Sequence, residues 1–158
     1  MKRVVSILLI TVLCIGALIA CGKKTGDEEA KTVANIVKAE FDNEIKSNAS
    51  IEDVANKLIE NPVFQDMAMG VMPVEEGFLN GFNGEILGFN SGVMFAPMIG
   101  TIPFVGYIFE TDTPEELAKT LEESHQLNWN ICTTADEMIV KTEGNYVFFV
   151  MAPSSFEE

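Results

Sequence analysis

One histidine, one tryptophan and ten basic residues are spread over 158 positions. Each shortage removes a class of function. With His125 as the only imidazole and no cysteine pair beside it, a four-ligand zinc site has no set of donors. None of the glycines opens a Gly-Lys-Ser or Gly-Lys-Thr run, so a phosphate-cradling loop of the P-loop type is missing. No stretch alternates oxygen ligands as an EF-hand loop does, although carboxylates are plentiful. No metal, no cofactor and no catalytic residue is therefore expected. The shortage of basic side chains against 24 acidic ones also argues against nucleic acid as a partner, because such a chain is repelled by phosphate backbones.

What is present begins at the N-terminus. Met1-Lys2-Arg3 is positive, and an uncharged run rich in Ile, Leu and Val follows from Val4 to Ala20. A basic start, an apolar centre and a small residue before a cut describe a secretory signal. A transmembrane helix needs about 20 apolar residues to cross about 30 Å of hydrocarbon. This run is slightly short and closes on Leu18-Ile19-Ala20-Cys21, a lipobox. Small Ala20 suits the peptidase pocket, and the Cys21 thiol can take a diacylglyceryl thioether. In this the segment resembles bacterial lipoproteins as a class. The resemblance implies a signal peptide over 1–20, cleavage before Cys21 and a lipidated tether over 21–27, with acylation (palmitate) of the new amine left open. Each buried CH₂ is worth about 0.8 kcal/mol and stable anchoring needs two signals. A diacylglyceryl group supplies two chains at once.

The anchor leaves the rest of the chain strongly charged. All the acidic residues follow Cys21, while Lys2 and Arg3 leave with the leader. Eight basic against 24 acidic side chains give the mature chain a charge of −16. Such a surface keeps a protein dispersed and attracts cations or a basic partner. After cleavage Cys132 is the one thiol not committed to lipid, so an internal disulfide is impossible. A free thiol behaves as a small hydrophobe, which predicts a buried Cys132.

The remaining length suits one α+β domain over 28–158. Val33, Ile36, Val37, Phe41 and Ile45 recur at helical steps, predicting a helix over 28–46. Ser50 and Asp53 cap a second helix that ends at Asn61-Pro62. Residues 77–84 hold Gly-Phe pairs at 77 and 81, with another at 88, and read as an irregular loop whose phenylalanines pack inward. Between Glu85 and Glu110 lie 24 uncharged residues, long enough for a membrane span. The prolines and glycines in that stretch argue instead for a strand over 86–96, a turn at 97–103 and a strand over 104–110, because a broken span leaves backbone groups unsatisfied in lipid. Thr113-Pro114-Glu115-Glu116 predicts a capped helix to Glu123 or His125. Two strands, 138–141 and 146–151, close the chain around the Glu143-Gly144-Asn145 turn. The order is two N-terminal helices, then β-β-α-β-β, an antiparallel or mixed sheet with helices on one side.

Candidate chemistry is sparse. His125, near Glu122, Glu123 and Ser124, is a possible base or ligand, and Cys132 a possible nucleophile. Neither has a partner motif to orient it. A helix C-terminus explains the histidine, and packing explains Trp129 and Cys132. Asp112, Glu115 and Glu116 cluster, but capping already accounts for two of them. Met67, Met69, Met72, Phe78, Phe82, Phe89, Met94, Phe95 and Met98 read as core; several exposed together would mark a partner-binding patch.

The segments Phe95-Ala96-Pro97-Met98-Ile99-Gly100-Thr101-Ile102-Pro103-Phe104-Val105-Gly106-Tyr107 and Gly144-Asn145-Tyr146-Val147-Phe148-Phe149-Val150 are similar to those of small lipoproteins of clostridia-like Firmicutes. That resemblance implies a single-membrane cell and a domain facing outward, and brings no activity or site residue with it. The expectation is a non-enzymatic, lipid-anchored extracytoplasmic binding or interaction module, held at the membrane through Cys21 with a protein partner in the envelope. Two alternatives stay open: an accessory subunit docking through 86–109, and an envelope enzyme using His125 or Cys132.

Overall fold

The structure, a computed structural model, describes residues 31–47 and 49–156. The leader, Cys21 and its tether lie outside the described residues, as do residues 28–30 of the first expected helix.

Helix α1 (Val33–Glu44) starts at Thr32, whose hydroxyl accepts from the Asn35 amide. It buries Val33, Ala34, Val37 and Phe41, the stripe that its three- and four-residue spacing sets out. A 3₁₀ turn (Ile45–Ser47) follows. Helix α2 (Ile51–Ile59) is capped by Ser50, whose Oγ accepts from the Asp53 amide at 3.1 Å and donates to the Asp53 carboxylate at 2.8 Å. Asn61 and Pro62 open a further 3₁₀ turn (Pro62–Phe64), where the Asn61 side chain accepts from the Val63 amide.

Seven strands follow: β1 (Met69–Val74), β2 (Gly77–Phe78), β3 (Glu85–Ile86), β4 (Ser91–Pro97), β5 (Val105–Glu110), β6 (Glu137–Glu143) and β7 (Tyr146–Ala152). Helix α3 (Pro114–Ser124) connects β5 to β6. Five strands form one sheet in the order β1-β4-β5-β7-β6, antiparallel throughout, and β2 and β3 form a small separate hairpin. The α+β class and the antiparallel sheet agree with the sequence reading.

Strand periodicity sends alternate residues of the central strands to opposite faces. Val93, Phe95, Ile108, Phe148 and Val150 pack under α1 and α2. Val105, Tyr107, Phe109, Val147, Phe149 and Met151 pack under α3 and the 79–89 loop. The expectation of helices on one side is thereby corrected. Both faces of β5 and β7 are apolar, so each needs a cover, and α3 supplies the second one. An apolar run on both faces marks the middle of a sheet, and β5 occupies that place.

Three local expectations also change. Strand β1 has no regular alternation to predict it, because Gly70 and Pro73 interrupt it; it is an edge strand, where a proline is tolerated. The strand expected over 86–96 splits into β3 and β4 around a bend at Gly88, which has φ +87°. Thr113 precedes α3 but makes no side-chain cap. Its neighbour Thr111 instead fastens the turn that leads into the helix: its buried Oγ1 donates to the Gly88 carbonyl at 2.6 Å and accepts from the Thr113 amide at 3.1 Å.

Candidate functional site

The two ends of the sheet differ. At one end β5, β6 and β7 finish at Glu110, Glu143 and Tyr146. At the other, Pro97, Val105 and Ala152 lead into loops, and the chain enters α1 there, since the Val33 amide donates to the Ser154 carbonyl at 3.2 Å.

Two loops meet at this second end. The β4–β5 loop, residues 98–104, is pinned by the Met98 amide donating to the Ala68 carbonyl at 2.8 Å. The 126–135 segment is bound to it by two side-chain bonds. Asn130 Nδ2 donates to the Gly100 carbonyl at 2.5 Å, and Thr133 Oγ1 donates to the Thr101 carbonyl at 2.8 Å. Joined in this way, the loops present Met98 at 76 %, Ile99 at 62 % and Ile131 at 101 % exposure.

Clefts open on either side of the loop pair. The larger, about 930 Å³, lies between the start of α1, the Pro62–Phe64 turn, the β4–β5 loop and the C-terminal segment; Lys31, Asp66, Thr101, Thr133 and Ser155 contribute polar groups to its lining. Phe156 lines it as well, packed on Phe64 and Phe104 at centroid distances of 5.8 and 6.1 Å. Phe64 and Phe104 meet edge to face at 5.0 Å, and Phe104 leads on to Phe95 and Phe148 in the core. Phe156 thus joins the cleft wall to the aromatic core. Asp136 ties the C-terminal segment in place by accepting from the Ser154 amide at 2.7 Å. That amide, with the Ser154 hydroxyl, holds the Asp136 carboxyl below the usual carboxylate range. The smaller cleft, about 400 Å³, is lined by Met94, Trp129, Ile131 and Cys132 among others.

The structure separates the residues singled out as chemical candidates. Cys132 is exposed, which corrects the expected burial: the loop carrying it is held by Asn130 and Thr133 and turns its neighbours out to solvent. His125 caps α3, with Nδ1 at 2.7 Å from the Glu122 carbonyl. It does not line the cleft that holds Cys132. The neighbours that could have assisted it are engaged elsewhere. Ser124 donates to the Thr120 carbonyl, and Glu123 lies 3.7 Å from Lys119. Asp112, Glu115 and Glu116 are exposed on the surface around the start of α3. Among the described residues no three His, Cys, Asp or Glu side chains are grouped as metal ligands. No described helix is long and apolar enough to cross a membrane, and most of 86–109 is sheet.

The methionines and phenylalanines divide. Phe82, Phe89 and Phe95 are buried, Met67, Met69 and Met94 pack at the margins of the core, and Met72, Phe78 and Met98 are exposed. The inward packing expected of the 77–84 phenylalanines holds for Phe82 and fails for Phe78, which sits on the small β2–β3 hairpin. The loop-pair end went unrecognised in the sequence, although a signal exists. Residues 86–109 and 124–135 are two of the three long stretches of the acidic region without a carboxylate, and both lead to it.

No family model, curated protein or solved structure matches this chain.

Proposed function

We propose that the protein is a lipid-anchored extracytoplasmic module that binds a partner and performs no chemistry of its own. The lipobox Leu18-Ile19-Ala20-Cys21 supports the anchor. The observation that carries the binding reading is the open cleft of about 930 Å³, whose lining mixes apolar side chains with hydroxyls and the charged Lys31 and Asp66. Such a lining suits recognition by shape and a few hydrogen bonds. Catalysis needs a nucleophile or base oriented by a second group. His125 faces a carbonyl, and Cys132 stands exposed on another loop.

A photo-crosslinking residue placed at Thr133, on the cleft wall, tests this in intact cells. A discrete adduct that disappears when the cleft is filled by Ser155→Trp supports the reading. Crosslinking that is unaffected by that substitution contradicts it.

A further inference from the structure

We propose that the paired loops carrying Met98, Ile99 and Ile131 rest on the lipid bilayer beside the anchor, so that the domain stands on this end with its acidic bulk turned outward. The inference depends on the anchor reading above.

Three observations converge. The first is position. The chain enters the domain at this end, and Lys31 lines the same cleft as Thr101 and Thr133, the residues next to the exposed tips. Ten peptide steps separate Cys21 from Lys31, and such a chain spans at most about 35 Å. An anchor at Cys21 therefore holds Lys31, at this end of the sheet, within about 35 Å of the bilayer.

The second is charge. An anionic lipid surface repels a domain of this composition. Residues 86–109 and 124–135 hold no carboxylate, and the fold brings their loops together. Asp66, Asp136 and Glu137 carry carboxylates at this end, and Asp27, Glu28, Glu29, Glu157 and Glu158 adjoin Lys31 and Phe156 in sequence, but none belongs to either loop. The loop tips themselves therefore bring no carboxylate to the headgroups, and they lie at the end where the tether enters.

The third is chemistry. Met98, Ile99 and Ile131 offer large apolar side chains to solvent, at exposures a core-forming residue does not show. The single tryptophan, Trp129, is half-buried two residues before Ile131, an amphipathic ring of the kind that settles at headgroup level. Apolar side chains seated at the interface bury about 5–10 Å into the headgroup and acyl boundary. The side-chain bonds from Asn130 and Thr133 hold the loops together before contact, so little ordering remains to be done on docking.

The protein supplies its own probe. With Cys21 lipidated, Cys132 is the free thiol, and it is exposed between Ile131 and Thr133. Lipidated full-length protein, labelled at Cys132 with an environment-sensitive fluorophore, is reconstituted into vesicles of equal parts phosphatidylglycerol and phosphatidylcholine. The expected emission is blue-shifted, and a nitroxide placed near the headgroup quenches it more than one at the acyl chain end. The same label on Cys132→Ser/Asn145→Cys, at the opposite end, should show neither effect. Ile99→Asp with Ile131→Asp should lose the quenching while the protein still floats with the vesicles. Since both side chains are exposed, folding is retained, and circular dichroism checks it. An unquenched Cys132 label on protein that floats with the vesicles overturns the proposal and leaves the anchor reading standing. Equal quenching at both ends also overturns it. Protein that fails to float and has an unmodified Cys21 by mass overturns the anchor reading, and this one with it. Protection of Cys132 in cells without quenching in protein-free vesicles assigns the surface to a protein partner instead.

Discussion

Gly106 lies in the middle of β5, paired with Phe95 of β4 on one side and Val150 of β7 on the other. A Cβ at this position would run into three atoms of the Phe95 ring. That ring is fully buried, 6.3 Å from Phe148 and 5.9 Å from Phe104 by centroid, so it has no space to swing into. Gly106→Ala therefore overpacks the centre of the first core. Overpacking costs about 1–3 kcal/mol, and an immobile aromatic neighbour places this case at the upper end. Replacing glycine within a strand returns about 0.5–1 kcal/mol. The net expectation is a loss of about 2 kcal/mol, a fall in Tm of about 8 °C for a domain of this size. In urea the midpoint should drop with an unchanged slope. Phe95→Leu removes the obstructing ring atoms, so Gly106→Ala should cost less in a Phe95→Leu background than in the parent, a coupling read from the double-mutant cycle. A Gly106→Ala protein within about 0.5 kcal/mol of the parent, the range of an ordinary surface change, refutes the reasoning.

Tyr107 gives a pH-dependent counterpart. Its hydroxyl donates to the Asn80 carbonyl at 2.8 Å, and burial pushes its pKa far above the ordinary phenol value. Above about pH 10 the unfolded chain loses this proton while the folded one keeps it, so stability falls as pH rises. Tyr107→Phe should cost about 1 kcal/mol at neutral pH and show a shallower alkaline decline in urea titrations; equal declines contradict the assignment. Thr111→Val strands the Gly88 carbonyl and the Thr113 amide and should cost about 1–3 kcal/mol, whereas Thr113→Val should stay within about 0.5 kcal/mol. Comparable losses at the two positions would contradict this assignment. His125→Gln and Cys132→Ser should each leave stability within about 0.5 kcal/mol and leave the cellular phenotype intact; a folded, anchored variant that loses the phenotype would indicate an enzyme.

Much of the fold is legible where local signals and burial agree. The stripe on α1, the Ser50 cap, the start of α3 at Pro114 and the β6–β7 hairpin all depend on residues within a few positions of one another. The apolar faces of β5 and β7 also announce a central place in the sheet. What local sequence does not contain is the cover on the second face. That α3 lies opposite α1 and α2 follows from which residues of β7 point each way, Phe148 and Val150 against Phe149 and Met151, and both sets are equally apolar. Strand β1 hides behind Gly70 and Pro73, which deny it a regular alternation. Thr111 fastens the approach to α3 because its hydroxyl reaches Gly88, a partner 23 residues away. Cys132 misled for a similar reason: a thiol's apolar character favours burial, but the loop is positioned by Asn130 and Thr133, which bond to the backbone of another loop. The loop-pair end was visible only as two carboxylate-free stretches whose meeting required the fold.

The anchor is tested most directly at Cys21. Cells fed a clickable fatty-acid analogue should label the parent protein, and the tryptic N-terminal peptide should begin at Cys21 with the mass of a diacylglyceryl group. Cys21→Ala should lose the label and leave the membrane fraction, because no other residue is placed to form the thioether. Label retained by Cys21→Ala, or an unmodified Cys21 in the membrane-bound parent, contradicts the lipid-anchored reading.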